Sequence, residues 1–346
     1  MPASILTPVT VLTGFLGSGK TTLLNRLLRH PACADSAVVI NEFGAIPIDH
    51  LLVREASENI ALLASGCICC SVQGDLVRTL RDLYFKRANG EVPAFRRLVI
   101  ETTGLADPAP ILHTLIEMPV IAARYSLSGV VTTVDAQYGM MQLDEHFESV
   151  KQAAVADRIV IAKADLAGSA ALAALRRRLA QLNPGARLLD SAHGNVDPGL
   201  LFDTGLYHAD GKPPDVRAWL NEAAYRPVNA AAGSNIPRHD ARIRALALSF
   251  DVPAPWQNFL DALDTLIALR GENLLRMKGI VNVAGEARPR VVHAVQHTLY
   301  PHAALPEWPD GDRRTRLVFI VRDLDGKIIR DTFSAFMQDD SLAQAK

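Results

Sequence analysis

The stretch that decides the fold runs from Val9 to Thr22 and reads VTVLTGFLGSGKTT. An apolar, β-branched run passes directly into a glycine-rich turn that fits G-x-x-x-x-G-K-[ST] at Gly14, Gly19, Lys20 and Thr21. Backbone N–H groups can converge on a polyphosphate only where Cβ atoms do not obstruct them, and a helix that starts there turns its positive end toward the anion. Leucines follow the turn at helical spacing, so the stretch predicts a strand, a phosphate-binding P-loop and a helix.

Composition restricts the class of protein. The chain has 346 residues, of which 49% are hydrophobic and 21% charged, as in a globular protein of two domains. Its formal net charge of -1 gives no electrostatic reason to expect nucleic acid or an anionic membrane as a partner. The sequence contains no evident secretory signal and no apolar run of about eighteen residues, so we expect a cytoplasmic protein with reduced thiols.

The order of elements predicts the fold class. The first part alternates strand-like and helix-like segments, which is typical of an α/β P-loop NTPase domain with a mainly parallel sheet flanked by helices. The last part lacks this alternation, so we expect a smaller α+β domain with an antiparallel sheet. The predicted boundaries are a P-loop domain at residues 1–204, a linker at 205–240, the second domain at 241–337 and a tail at 338–346.

Two segments are candidates for sensing the γ-phosphate. Glu101 ends an apolar strand and is followed by Gly104, so a carboxylate could bind Mg²⁺ while a glycine N–H contacts phosphate. The alternative is a strand that ends in a helix cap, which a threonine at 102 or 103 could supply. Glu42 and Asp49 follow the second predicted strand, where either carboxylate could approach Mg²⁺ or the attacking water, or could lie in solvent.

A candidate base site follows a later strand. Ile161 to Asp165 reads IAKAD and is similar to the guanine motif N-K-x-D, with Ala162 in place of the asparagine. Asp165 could accept hydrogen bonds from guanine N1–H and the 2-amino group, whereas adenine N1 is itself an acceptor. Lys163 would lie across the ring face. The pattern favours GTP, although Ala162 cannot supply the carboxamide and weakens the predicted selectivity.

Three thiols lie between these segments, at Cys67, Cys69 and Cys70. Thiolates prefer soft or borderline ions such as Zn²⁺, and Co²⁺ or Ni²⁺ is the alternative. In an extended segment the first two side chains share a face, so a turn is needed to bring all three onto one ion. Three ligands leave one tetrahedral position open, which suits transfer of a metal better than storage. Thiol redox chemistry is the alternative for this cluster.

The remaining metal-ligand side chains predict less. Cys33 is isolated in what reads as a surface loop. His293, His297 and His302 are expected to be surface or interface histidines, with the first two on one side of a strand.

Five motifs follow one another along the chain, namely the P-loop, Asn-Glu-Phe-Gly from Asn41, Cys-x-Cys-Cys, Glu-Thr-Thr-Gly from Glu101 and Ala-Lys-Ala-Asp. In this order they resemble the motifs of the CobW family of P-loop GTPases. The stretch GENLLRMKG from Gly271 to Gly279 and a strand at Leu317–Ile320 resemble that family's C-terminal domain. Ala45 departs from the family pattern, since many members have a glutamate after Asn-Glu-x-Gly. A long histidine tract of some relatives is also absent, which argues against bulk metal storage.

The resemblance implies a GTPase that binds GTP or GDP with Mg²⁺ and a transition metal, and that delivers the metal to a client metalloprotein. Phosphate and magnesium contacts are implied for Gly14, Gly17, Ser18, Gly19, Lys20, Thr21, Thr22, Glu42, Asp49, Glu101 and Gly104. Base contacts are expected from Lys163 and Asp165, and metal binding is implied for Cys67, Cys69 and Cys70. Alternatives are a metal or thiol sensor that binds a partner without transfer, and an ATP-dependent kinase, which Asp165 disfavours. A nucleotide- or metal-dependent homodimer is left open.

Overall fold

The computed structural model describes residues 6–41, 62–64, 72–202, 216–227 and 242–337. The chain divides into two compact units, Met1–Ala180 with Ala186–Pro214 and Gln181–Gly185 with Asp215–Lys346. No helix in the described ranges is both long enough and apolar enough to cross a membrane.

The first unit is built on a parallel sheet of seven strands in the order β3-β2-β4-β1-β5-β6-β7. The strands are β1 (Thr7–Gly14), β2 (Ser36–Asn41), β3 (Leu62–Ala64), β4 (Arg97–Thr102), β5 (Tyr125–Asp135), β6 (Arg158–Ala162) and β7 (Arg187–Ser191). The P-loop strand β1 lies between β4 and β5, and its Leu12 pairs with Glu101. All strands run the same way, so their carboxyl ends meet at one edge, where ligands bind in open α/β sheets.

Helices connect these strands and bury their apolar side chains. They are α1 (Lys20–Leu28), α2 (Val72–Ala88), α3 (Ala109–Glu117), α4 (Pro119–Ala122), α5 (Gly139–Glu145), α6 (Phe147–Val155), α7 (Ser169–Leu182) and α8 (Pro198–Leu201). Leu23, Leu24 and Leu27 of α1 pack with Val38 and Val99 of the sheet in one buried cluster. This packing fixes the start of α1 beside the end of β1. The predicted α/β fold with a parallel sheet is confirmed.

The second unit contains a mainly antiparallel sheet. Its strands are β8 (Arg226–Pro227), β9 (Ile243–Phe250), β10 (Leu274–Val281), β11 (Arg290–Val295), β12 (Thr298–Leu299), β13 (Ala303–Ala304) and β14 (Thr315–Arg322). Its helices are α9 (Val216–Leu220), α10 (Trp256–Arg270) and α11 (Gly326–Met337). Phe259 of α10 and Phe333 of α11 are fully buried against Phe319 of β14, so the two long helices cover one face of the sheet.

The predicted antiparallel sheet is confirmed, with one parallel pairing between β8 and β9. Within the segment predicted as a linker, residues 216–227 are folded into α9 and β8. The domain boundaries given above stay predictions.

Two predictions about the histidines were wrong, namely the surface position of His293 and the shared strand of His293 and His297, whereas His297 is exposed as expected. His293 is buried and stacks on Tyr300 at a ring separation of 3.9 Å, so it is a core residue. His297 follows Gln296, which has a left-handed backbone, in the turn between β11 and β12, and therefore does not share a strand with His293. Cys33 is also buried, and this burial raises the pKa of its thiol.

Candidate nucleotide-binding site

The P-loop joins β1 to α1 through three glycines with positive φ, namely Gly14 at 144°, Gly17 at 70° and Gly19 at 94°. A Cβ on Gly14 would lie 2.3 Å from Thr133 Oγ1 and 2.7 Å from Ser18 Oγ, distances that no side chain can adopt. The hydroxyls of Ser18 and Thr133 are themselves hydrogen bonded at 2.6 Å. The loop therefore closes tightly on β5, and glycine is required by space as well as by backbone angle.

Lys20 is the first residue of α1 and its side chain is buried. Its Nζ donates to the carbonyl oxygens of Gly14, at 2.9 Å, and Phe15, at 3.2 Å. These two contacts hold the ammonium group within the loop, at the positive end of the helix. Both features favour an anion at this position.

Thr21 and Glu101 come together beside the lysine, as the sequence predicts. Thr21 Oγ1 donates to Glu101 Oε1 at 3.0 Å, and Glu101 is buried at the end of β4. The neighbouring Thr102 hydroxyl donates to Thr13 Oγ1 at 2.8 Å and so ties β4 to β1. A hydroxyl and a carboxylate are hard oxygen donors, the ligand class that Mg²⁺ prefers, so this pair fits a magnesium ion.

Gly104 lies against the P-loop backbone. A Cβ at this position would be 2.6 Å from Leu16 Cδ2 and 2.7 Å from both the N and the Cα of Leu16. Only glycine allows the segment after β4 to approach the loop this closely. The structure thus brings Gly104 to the phosphate end of the site.

The opposite end of the site is built around Lys163, whose backbone is left-handed with φ 57°. Its Nζ donates to Gly17 O at 2.9 Å and to Asp135 Oδ2 at 2.6 Å. Asp135 is buried at the end of β5, and its other oxygen accepts the backbone N–H groups of Gln137, at 2.8 Å, and Tyr138, at 3.2 Å. The carboxylate therefore fixes the lysine side chain over the P-loop.

A pocket opens next to this lysine. Asp165 lines it, and its Oδ2 lies 3.7 Å from Nε2 of the exposed His193. Ser191, at the end of β7, is buried, and its hydroxyl makes no hydrogen bond within the part of the chain that the structure describes. The pocket is lined by Gly19, Thr22, Leu23, Ala162, Lys163, Asp165, Leu166, Ser191, His193 and Gly194. Its walls thus connect the start of α1 to the predicted base motif.

Comparisons with known proteins identify the family. Residues 8–190 match the model described as CobW/HypB/UreG, nucleotide-binding domain, and residues 243–337 match the cobalamin synthesis protein cobW C-terminal domain. The chain belongs to the CobW family. As a member it is a P-loop GTPase.

Named relatives of this CobW-family chain include two bacterial proteins. The zinc chaperone YjiA of Escherichia coli is 34% identical over 94% of this chain and 97% of its own length. The zinc chaperone CobW of Pseudomonas aeruginosa is 29% identical over 92% of this chain and 88% of its own length. The crystal structure of Zn(II)-bound YjiA GTPase has a TM-score of 0.71 to this chain, at 27% identity over 96% and 99% of the two chains.

Several of the predicted site residues of this CobW-family chain lie outside the described residues. They are Glu42, Asp49, Cys67, Cys69 and Cys70. No group of three or more histidine, cysteine or acidic side chains in the described ranges is arranged to hold a metal ion. The thiol triad therefore stays a prediction.

Three side chains at this site, those of Asp135, Ser191 and His193, were not predicted from the sequence. Each follows or ends a strand whose carboxyl end lies at the nucleotide edge of the sheet. Because the carboxyl ends of parallel strands lie at the same edge of a sheet, Asp135 and Ser191 could have been predicted from their positions at strand ends. His193 gave no such signal, because it belongs to a short loop after β7 with a left-handed backbone at φ 52°.

Proposed function

We propose that this protein is a GTP-dependent metallochaperone that carries zinc and delivers it to a client metalloprotein. The observation that carries the proposal is the convergence of Lys20, Thr21, Glu101 and Lys163 on one P-loop. The same chain carries Cys67-x-Cys69-Cys70 between the segments that are predicted to contact phosphate. Relatives over nearly the full length are named zinc chaperones, which supports zinc over cobalt or nickel as cargo.

At the phosphate end, Lys20 would neutralise the β- and γ-phosphates, and the glycine N–H groups would bind their oxygens. Thr21 and Glu101 would hold Mg²⁺, with Asp49 as a further carboxylate. When bound, the ion would supply positive charge that stabilises the negative charge of the phosphates. The segment that contains Gly104 would contact the γ-phosphate, and Glu42 would lie near the attacking water.

At the base end, Asp165 would accept from guanine N1–H and the 2-amino group, while the Lys163 stem lies on the ring. The Asp135 carboxylate, 2.6 Å from the lysine Nζ, would hold this side chain in place of the asparagine that Ala162 replaces. Ser191 would offer its hydroxyl to the same pocket. This set favours GTP over ATP, because adenine cannot donate from N1.

The metal end of the proposal rests on the chemistry of the thiols. Three thiolates bind Zn²⁺ tightly and leave one tetrahedral position for a ligand from the client. Binding of GTP would order the segments that contain Glu42 and Gly104, which flank the triad in sequence, and hydrolysis would change the metal affinity. By linkage, zinc would alter the affinity for nucleotide by the same factor.

Substitution of one thiol tests the metal site, with Cys33 as a matched control. Because Cys33 is buried with a raised pKa, its thiol is a poor metal ligand. We expect Cys67→Ala to weaken zinc binding at least about tenfold, a loss of about 1.4 kcal/mol, and Cys33→Ala to leave it unchanged. Isothermal titration with zinc and with GDP measures both properties. Unchanged zinc affinity in the Cys67 variant, or loss of nucleotide binding with it, would contradict the proposed role.

A further inference from the structure

Helix α6 holds the segment that follows β4. Gln152 Nε2 donates to two carbonyl oxygens of this segment, Gly104 O at 3.2 Å and Ala106 O at 3.0 Å. One residue earlier, Lys151 Nζ contacts Asp107 Oδ2 at 2.7 Å. Side chains 44 to 48 positions away in sequence therefore determine where the segment lies.

Gln152 is fully buried, and its amide orientation is fixed by its partners. Both partners are carbonyls, so the NH₂ group must face them, and Oε1 makes no hydrogen bond within the described ranges. A buried polar atom left without a partner costs about 1–3 kcal/mol. An apolar side chain of similar volume would remove that atom but would also leave the carbonyl oxygens of Gly104 and Ala106 without this donor. The glutamine amide is therefore the group that ties the segment to α6.

The amide also determines the direction of neighbouring N–H groups. In a planar trans peptide the carbonyl and the following N–H point in opposite directions. With the carbonyls of Gly104 and Ala106 turned toward Gln152, the N–H groups of Leu105 and Asp107 are turned away from it. On its other side Gly104 packs on Leu16 of the P-loop. The segment is thus held between α6 and the loop.

We propose that Gln152 is a positioning residue of the GTPase reaction, which keeps this segment closed on the P-loop where its N–H groups can meet the γ-phosphate. The inference rests on the proposed role of Gly104. It assigns Lys151 a smaller, supporting part, because the ion pair with Asp107 is partly exposed and partly screened. The affinity for a nucleotide with a γ-phosphate should depend on Gln152, whereas the affinity for GDP should not.

The test is Gln152→Met, which keeps the side-chain volume and removes the donor. The matched control is Thr132→Val, since the Thr132 hydroxyl donates to the backbone oxygen of Gln152 at 2.7 Å without reaching the segment. We would measure the Kd of GDP and of a non-hydrolysable GTP analogue, kcat and KM for GTP, and the thermal midpoint of unfolding.

We expect Gln152→Met to weaken the analogue roughly tenfold and to lower kcat by a similar factor, with GDP within about twofold. Thr132→Val should lower the thermal midpoint and leave the ratio of the two affinities unchanged. If Gln152→Met does not fold, Lys151→Met is the second variant, with an expected two- to threefold loss in the same ratio. Equal weakening of GDP and analogue in Gln152→Met, or an unchanged ratio of the two affinities in Gln152→Met or its substitute Lys151→Met, would overturn the inference.

The proposed function and this inference fail in different ways. If the zinc affinity of the wild-type protein were the same with and without nucleotide, the metallochaperone proposal would be contradicted. The ratio of GTP-analogue affinity to GDP affinity in Gln152→Met would still test the positioning role. If zinc affinity did depend on the nucleotide in the wild-type protein but Gln152→Met left the ratio of analogue affinity to GDP affinity unchanged, only the positioning role would be contradicted.

Discussion

The proposed phosphate end and the proposed base end of the nucleotide site are built in different ways. The phosphate end comes largely from one continuous stretch, Gly14–Thr22, to which β4 adds Glu101. The base end is assembled from the ends of three strands, with Asp135 at the end of β5, Lys163 directly after β6 and Ser191 at the end of β7. One end is specified locally, and the other depends on the order of strands in the sheet.

Because of this difference, the two ends are expected to contribute to the free energy of nucleotide binding in different ways. At the phosphate end the lysine charge and the glycine backbone act on any nucleoside triphosphate. At the proposed base end Lys163 pairs with the Asp135 carboxylate, and alanine stands at position 162 in place of an asparagine. Selectivity for guanine would therefore rest on this ion pair and on Asp165. Substitutions at the two ends should therefore differ in size and in base dependence.

The largest effect is expected for Lys20→Ala. Two charge-assisted contacts with phosphate, worth about 1.5–3 kcal/mol each, should disappear, so affinity should fall about a hundredfold or more. Because phosphate is common to all nucleotides, GTP and ATP should lose the same factor. Equilibrium binding of fluorescent analogues measures this, with Lys86→Ala, from the last turn of α2, as the control. A loss confined to GTP would contradict the division between the two ends.

A smaller, base-dependent effect is expected at Asp135. Asp135→Ala removes the partner of Lys163 and the acceptor for the N–H groups of Gln137 and Tyr138, and should weaken GTP roughly tenfold. Asp135→Asn keeps an oxygen for those N–H groups and removes only the charge, so a loss of roughly threefold is expected. ATP affinity should stay within about twofold in both variants.

Competition of GTP and ATP for one fluorescent nucleotide gives these ratios. If ATP weakened as much as GTP in Asp135→Asn, the carboxylate would support the P-loop as a whole and not the base pocket. That outcome would show that the phosphate end and the base end do not contribute separately to nucleotide affinity.

The same difference explains how much could be predicted from the sequence. Gly14, Gly19, Lys20 and Thr21 carry their roles in their spacing, because backbone geometry and helix direction are set by neighbouring residues. The change from strict alternation of strands and helices to a run without it is also a local signal, and it predicted the antiparallel sheet of the second unit.

What was missed depends on contacts between distant parts of the chain. Asp135 acts through Lys163, which is 28 positions away, and no local pattern marks this pairing. Gln152 is an ordinary helix residue until α6 is packed beside Gly104. His293 was expected at the surface because a histidine on a strand gives no sign of burial, whereas Tyr300 and Trp219 enclose it.

The central claim is that the nucleotide site controls the thiol site, and zinc affinity under defined nucleotide conditions tests it most directly. Competition with a zinc chelator would be measured with the wild-type protein and Mg²⁺, in the presence of a non-hydrolysable GTP analogue, of GDP and of no nucleotide. We predict at least about a tenfold difference in zinc Kd between the analogue and GDP, with the reciprocal change in nucleotide affinity when zinc is bound. The same zinc Kd in all three conditions would contradict the claim.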